Sequence, residues 1–261
     1  MKLGASTSCF YPLETEKALK EVCSLGFDRA EVFMNAYSEL EEGFVRELGA
    51  IANDSPTEII SVHPFSSFLE STCIFGDYQR RFDDFIGIYE KTCHACALLG
   101  AKFVVIHGAI AKPKIPIPDE RYFERFLKLI EIGKREGVTV CQENVNRFKS
   151  QSLDFCKKMR DALGDDFNMV FDIKQSIRAG EDPFAFLNEF KYDIRHIHIS
   201  DNTPCDDCLP PSRGSFDFLK FKEILDGADY RGDCVIEIYS KSFDVRNELK
   251  NSKEYLEKLW Q

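Results

Sequence analysis

Apolar positions along the chain follow two rhythms that take turns. Short runs rich in Val, Ile, Phe and Cys read as buried β-strands, and longer stretches with apolar residues three and four apart read as amphipathic helices. The runs predict strands over 3–7, 30–34, 59–63, 103–107, from 138 out to Glu143, and over 169–172, 194–199 and 234–239. Between and after them the helical period predicts helices over 13–25, 40–52, 78–99, 120–136, 152–163, 183–190, 218–225 and from about 245 to 259. Gly26, Gly100 and Gly137 stand at three of the helix exits, where a left-handed residue is needed. Uninterrupted alternation of strand and helix means a parallel sheet, and eight such units point to a closed (β/α)8 TIM barrel, an α/β fold. The 261 residues are close to the roughly 250 of one such barrel, so 1–261 is expected to be a single domain.

The strands share a second feature. Six of them run from apolar residues into an acid, base or imidazole: His63, His107, Glu143, Asp172, His198 and Glu237. In a parallel barrel the C-terminal strand ends all open onto one mouth, where barrel enzymes place their chemistry. Glu143, Asp172, His198 and Glu237, from strands five to eight, would therefore converge although they are far apart in sequence. Three carboxylates and one imidazole, with no thiolate, suit a hard or borderline divalent ion such as Mn²⁺, Co²⁺, Mg²⁺ or Zn²⁺. The segment 65–78 is expected as a loop longer than a minimal strand-to-helix turn, and 108–120, with three prolines in six residues, as an ordered loop over one face.

Charge and composition narrow the partners. With 34 basic against 44 acidic residues, a net charge of −10 and a pI near 5.1, nucleic acid and anionic membrane are unfavoured. There is no apolar run of roughly 18 residues and no cleavable apolar leader, so a soluble, cytoplasmic protein is expected. The ten cysteines are scattered through apolar patterns as reduced thiols would be; Cys93 with Cys96 and Cys205 with Cys208 are paired closely, but they lie too far apart to favour a structural zinc site. No glycine-rich nucleotide fingerprint follows the first strand, so no nucleotide cofactor is indicated.

Three stretches carry a resemblance: ENVNRF at 143–148, HIHISDN at 196–202 and PPSRGSFDF at 210–218. With them the chain resembles the xylose-isomerase-like TIM-barrel superfamily, which contains sugar and sugar-phosphate isomerases and epimerases, among them the ketose 3-epimerases, and the apurinic endonucleases. The resemblance implies one divalent metal held by Glu143, Asp172, His198 and Glu237. It also implies an enediolate mechanism in which Glu143 and Glu237 serve as base and acid on a small sugar or sugar phosphate. One position departs: where the family places a His three residues after the strand-six Asp, this chain has Gln175, which can position a hydroxyl but cannot carry a proton. His63, His107, Gln175 and Arg213 are the expected substrate contacts, His196 is expected deeper on the barrel wall, and Arg147 is a second candidate for an anionic group. Dehydration of a keto-inositol-like substrate, hydrolysis of the apurinic-endonuclease type and non-catalytic sugar binding are the alternatives. The resemblance further implies a possible homo-oligomer.

Overall fold

A computed structural model describes residues 1–239 and 244–261. The chain runs β1 (Leu3–Ser6), α1 (Thr15–Ser24), β2 (Arg29–Phe33), α2 (Glu42–Asn53), β3 (Glu58–His63), α3 (Ser67–Cys73), α4 (Gln79–Leu98) and β4 (Phe103–Ile106). It continues with α5 (Asp119–Glu136), β5 (Thr139–Glu143), α6 (Leu153–Leu163), β6 (Met169–Asp172), α7 (Ile173–Ala179) and α8 (Pro183–Phe190). The last elements are β7 (Ile194–Ile199), α9 (Phe218–Gly227), β8 (Cys234–Ile236) and α10 (Val245–Leu259). All strands are parallel, and β1 pairs with β8 through Leu3 opposite Cys234 and Ala5 opposite Ile236, which closes the barrel.

The main core lies between the strands and the helical ring, where Leu19, Phe27, Tyr89, Phe126, Phe171, Phe186 and Phe221 are fully or almost fully buried. A separate small cluster, Val105, Cys141 and Val170 with Phe103 against it, fills the barrel interior, and the Phe103 ring stacks on His196 with centroids 6.0 Å apart.

The eight expected strands are present, with shifts at their edges. The last strand ends at Ile236 rather than 239, and the first helix begins at Thr15, since Leu13 is exposed. Two short helices depart from the expected pattern. The stretch 65–78, expected as a loop, contains α3, whose buried faces are Ser67 and Glu70 while Phe68 and Leu69 are exposed; this inverted polarity hides a helix from any hydrophobic pattern. After β6 the chain turns straight into α7, capped by Asp172 itself and closed by Gly180 at φ 76°, before Asp182 and Pro183 start α8.

Candidate metal centre at the barrel mouth

Strand register brings the site together. Asp172 of β6 is the partner of His198 of β7, and Ile106 of β4 is the partner of Gln142 of β5. His107 therefore follows its strand at the level of Glu143, and Glu237 stands two residues beyond Val235, the β8 partner of His198. Donor atoms of Glu143, Asp172, His198 and Glu237 lie within 4.8 Å of one another, and all four residues are buried. His198 Nδ1 is 3.3 Å from Glu143 Oε1, 3.4 Å from Glu237 Oε2 and 3.6 Å from Asp172 Oδ2.

Two sequence stretches organise the chain around these residues. In ENVNRF, Asn144 accepts from the Asp172 backbone N–H at 2.7 Å through Oδ1 and donates to the Asp172 carbonyl at 3.0 Å, so it locks the ends of β5 and β6 together. Asp172 uses Oδ1 to accept from the Gln175 backbone N–H at 3.1 Å and leaves Oδ2 facing the cluster. In HIHISDN, Asp201 accepts from the backbone N–H groups of Ser212, Gly214 and Phe216 at 2.9–3.1 Å, which folds the loop before α9.

A second group adjoins the first. His63, His107 and Glu143 bring ligand-capable atoms together, with His107 Nε2 2.9 Å from both His63 Nε2 and Glu143 Oε2. The His63 ring is stacked on Phe33, centroids 4.4 Å apart. Behind His198, Glu31 of β2 reaches across the barrel: its Oε2 faces His198 Nε2 at 2.9 Å and His196 Nε2 at 3.1 Å and accepts from Ser61 Oγ at 2.9 Å. His196 is thus on the barrel wall, two residues deeper than His198 and fully buried.

Electrostatics follow from this packing. Burial alone would raise the Glu143 carboxyl, but His107 beside it and the His198 ring at its other oxygen hold it well below the usual carboxylate range. Burial would likewise lower His198, yet the charges of Glu31 and Glu237 push it well above the ordinary imidazole value. His196, buried deeper, is lowered by the loss of solvent in spite of Glu31.

The donor set fits a divalent cation. The Glu143 Oε2 atom is buried without a well-formed hydrogen bond even with His107 beside it, an arrangement that a cation would complete.

The other expected contacts are placed differently. Gln175 is buried in the first turn of α7, and its Oε1 accepts from the Asn146 backbone N–H at 3.1 Å, tying α7 to the ENVNRF segment. Arg213 is exposed and forms a two-pronged ion pair with Glu248 of α10, 2.6 and 2.9 Å, so its guanidinium faces the outer helix. Arg147 sits at φ 69°, with its backbone carbonyl accepting from Ala111 at 2.7 Å and bracing the 108–119 loop.

Three functional-looking residues are missed by the sequence reading. Lys174 is buried and ion-paired with both Asp172 and Glu237; burial disfavours its charge, but those two carboxylates outweigh it and hold its pKa well above the ordinary lysine value. Its signal is only a lysine two residues past a strand-ending acid. Glu31 is an acid inside an apolar strand, which by itself marks a buried partner. Glu70 lies on the inverted face of α3, where it accepts from Tyr89 Oη at 2.6 Å and from the Gly108 backbone N–H at 2.5 Å.

Fold and site together define a parallel eight-stranded barrel with an acidic, imidazole-bearing cluster at the C-terminal ends of its strands. The chain belongs to the xylose isomerase-like TIM barrel family, which it matches over residues 19–259. An uncharacterized protein of Mycobacterium leprae is 22% identical over 93% of this chain and 90% of its own. The 3-dehydro-D-guloside 4-epimerase of Escherichia coli is 22% identical over 98% and 99%. Among solved structures, D-psicose 3-epimerase of Clostridium cellulolyticum with D-tagatose superposes with TM-score 0.80 at 16% identity over the whole of both chains. The IolI protein with a bound zinc atom superposes with TM-score 0.78 at 15% identity over 100% of this chain and 98% of that one, so the likeness is one of fold.

Proposed function

We propose that this protein is a divalent-metal-dependent epimerase or isomerase of a small carbohydrate carrying a keto group. The observation that carries the reading is the convergence of Glu143, Asp172, His198 and Glu237 within 4.8 Å, with two glutamates entering from β5 and from just past β8. Those four residues would hold the ion, which when bound supplies charge stabilisation for an enediolate at vicinal sugar oxygens. The protein's own groups move the proton. One glutamate, as carboxylate, removes the hydrogen from the carbon beside the carbonyl, and the other, protonated, returns one to the opposite face, which inverts that carbon. Return through the first carboxyl to the neighbouring carbon gives aldose–ketose isomerisation instead. Phe33 and His63 form a stacked wall beside the site, and the buried Glu143 sits away from bulk water. The sugar substrates of the similar 3- and 4-epimerases support a carbohydrate as ligand.

The test is exchange of carbon-bound substrate hydrogen in heavy water over a panel of ketoses, ketose phosphates and 3-keto glycosides, with metal-loaded protein. Glu143→Gln and Glu237→Gln are expected to lose exchange with the fold intact. Near-normal exchange in both variants refutes the reading, and ligand-induced stabilisation without any exchange points to a binding barrel.

A second reading, phosphoester hydrolysis with two ions, draws on the His63, His107 and Glu143 group, which would share Glu143 with the first site. Binding of two ions per chain together with phosphodiesterase activity would favour it.

A further inference from the structure

Lys174 occupies the seat that the metal reading assigns to a cation. It rises from the first turn of α7, two residues beyond Asp172, and bends back into the cluster until its side chain is 1% exposed. Its ammonium bridges Asp172 Oδ2 and Glu237 Oε2, one oxygen from each of two expected ligands. Those same two oxygens face His198 Nδ1 at 3.6 and 3.4 Å. An ammonium offers three donors and no acceptor, so it neutralises the two carboxylates but cannot itself join a coordination shell while charged. With a divalent ion on the same oxygens, three positive charges would crowd a buried space.

An aromatic wall stands beside the ammonium. The Tyr239 ring centroid is 5.8 Å from Lys174 Nζ, and the outer part of that wall carries Arg178, 5.3 Å from the same ring and ion-paired with Asp207 at 2.7 Å. Tyr239 is 42% exposed, so the outer edge of this wall reaches solvent.

We propose that Lys174 is a built-in cation that competes with the divalent metal for Asp172 and Glu237, so that metal entry expels the lysine side chain toward Tyr239. In the metal-free protein Lys174 keeps the acidic cluster neutralised and folded; in the loaded protein the ion takes over that role, and the lysine becomes part of the mouth. This inference rests on the metal-dependent reading above and concerns which charge fills the site.

The experiment titrates Mn²⁺, Co²⁺ and Zn²⁺ into metal-free wild type and Lys174→Met by calorimetry, alongside lysine-selective acetylation of wild type read by mass spectrometry. Lys174→Met is expected to bind the ions at least about tenfold more tightly. Its metal-free form is expected to melt below wild type and to gain more in Tm on loading. In wild type, Lys174 is expected to resist acetylation without metal and to react at saturation. Equal or weaker binding by the variant, or Lys174 still protected in saturated wild type, overturns the competition while leaving the metal site standing. Absence of binding in both proteins overturns the competition and the metal reading together. Should Lys174→Met fail to fold, the acetylation of wild type decides alone.

Discussion

Glu31 on β2 and His198 on β7 meet across the barrel, Oε2 to Nε2, at 2.9 Å. The contact directs the other ring nitrogen, Nδ1, at Glu143, Asp172 and Glu237, so a residue that is no member of the four-residue cluster decides which face of the imidazole that cluster receives.

Glu31→Gln keeps the shape but weakens this support. Its affinity for Mn²⁺ or Zn²⁺ is expected to fall on the order of 10–100-fold, with the circular dichroism spectrum unchanged. Calorimetric titration of the variant at wild-type affinity would show that His198 needs no such brace.

His198→Ala removes the one nitrogen donor of the four-residue cluster. Metal uptake at that site is expected to drop to background after loading and dialysis, measured as ions per chain by elemental analysis. Metal retained at the wild-type level means that the ion binds elsewhere.

Glu70 is expected to set part of the pH profile of stability. Burial pushes its carboxyl from 4.5 up to about 7, against the opposing effects of Tyr89, the Gly108 N–H and His63. The folded protein therefore keeps this proton where the unfolded chain has released it. The resulting stability is present below about pH 4.5 and is lost as pH rises through 7, a change of about 3 kcal/mol. Glu70→Gln can still accept from Gly108 and can donate to Tyr89, whose hydroxyl then turns to Ser66 at 3.1 Å. Urea unfolding from pH 4.5 to 7.5 should show wild type losing stability relative to Glu70→Gln as pH rises. Parallel profiles would mean that Glu70 stays charged.

Gly108 follows His107 at φ 89°, and a Cβ there would lie 2.1 Å from the buried Tyr122 hydroxyl. That hydroxyl donates to Gln142 Oε1 at 2.5 Å, so it has little freedom to retreat. Gly108→Ala is expected to lower Tm by roughly 5–10 °C, from left-handed strain plus the clash. A shift within about 1 °C would show that the loop after β4 yields easily.

The barrel was readable because its signals are local. Apolar strands recur with glycine-closed amphipathic helices between them, and six of the eight strands run into an acid or imidazole, so order and mouth follow from parallel closure alone. That logic brings Glu143, Asp172, His198 and Glu237 to one place before any contact is known. Residues whose meaning depends on another element were not readable in the same way. Arg213 looks like a mouth cation in sequence, and its pairing with Glu248 of α10 is visible only in the structure. Gln175 is expected to face substrate, and nothing in the sequence shows that its Oε1 is engaged by the Asn146 backbone N–H. Glu70 lies on a helix whose apolar residues face out, so periodicity places it on the wrong side. Lys174 reads as an ordinary solvated lysine of a first helical turn until Glu237, 63 residues later, comes within ion-pair reach. Sequence by itself determined the fold and the kinds of atom at the mouth, because hydrophobic period and strand-end chemistry are written residue by residue. Tertiary structure alone decided which charges pair, because Coulomb attraction and burial depend on distances that only closure of the barrel creates.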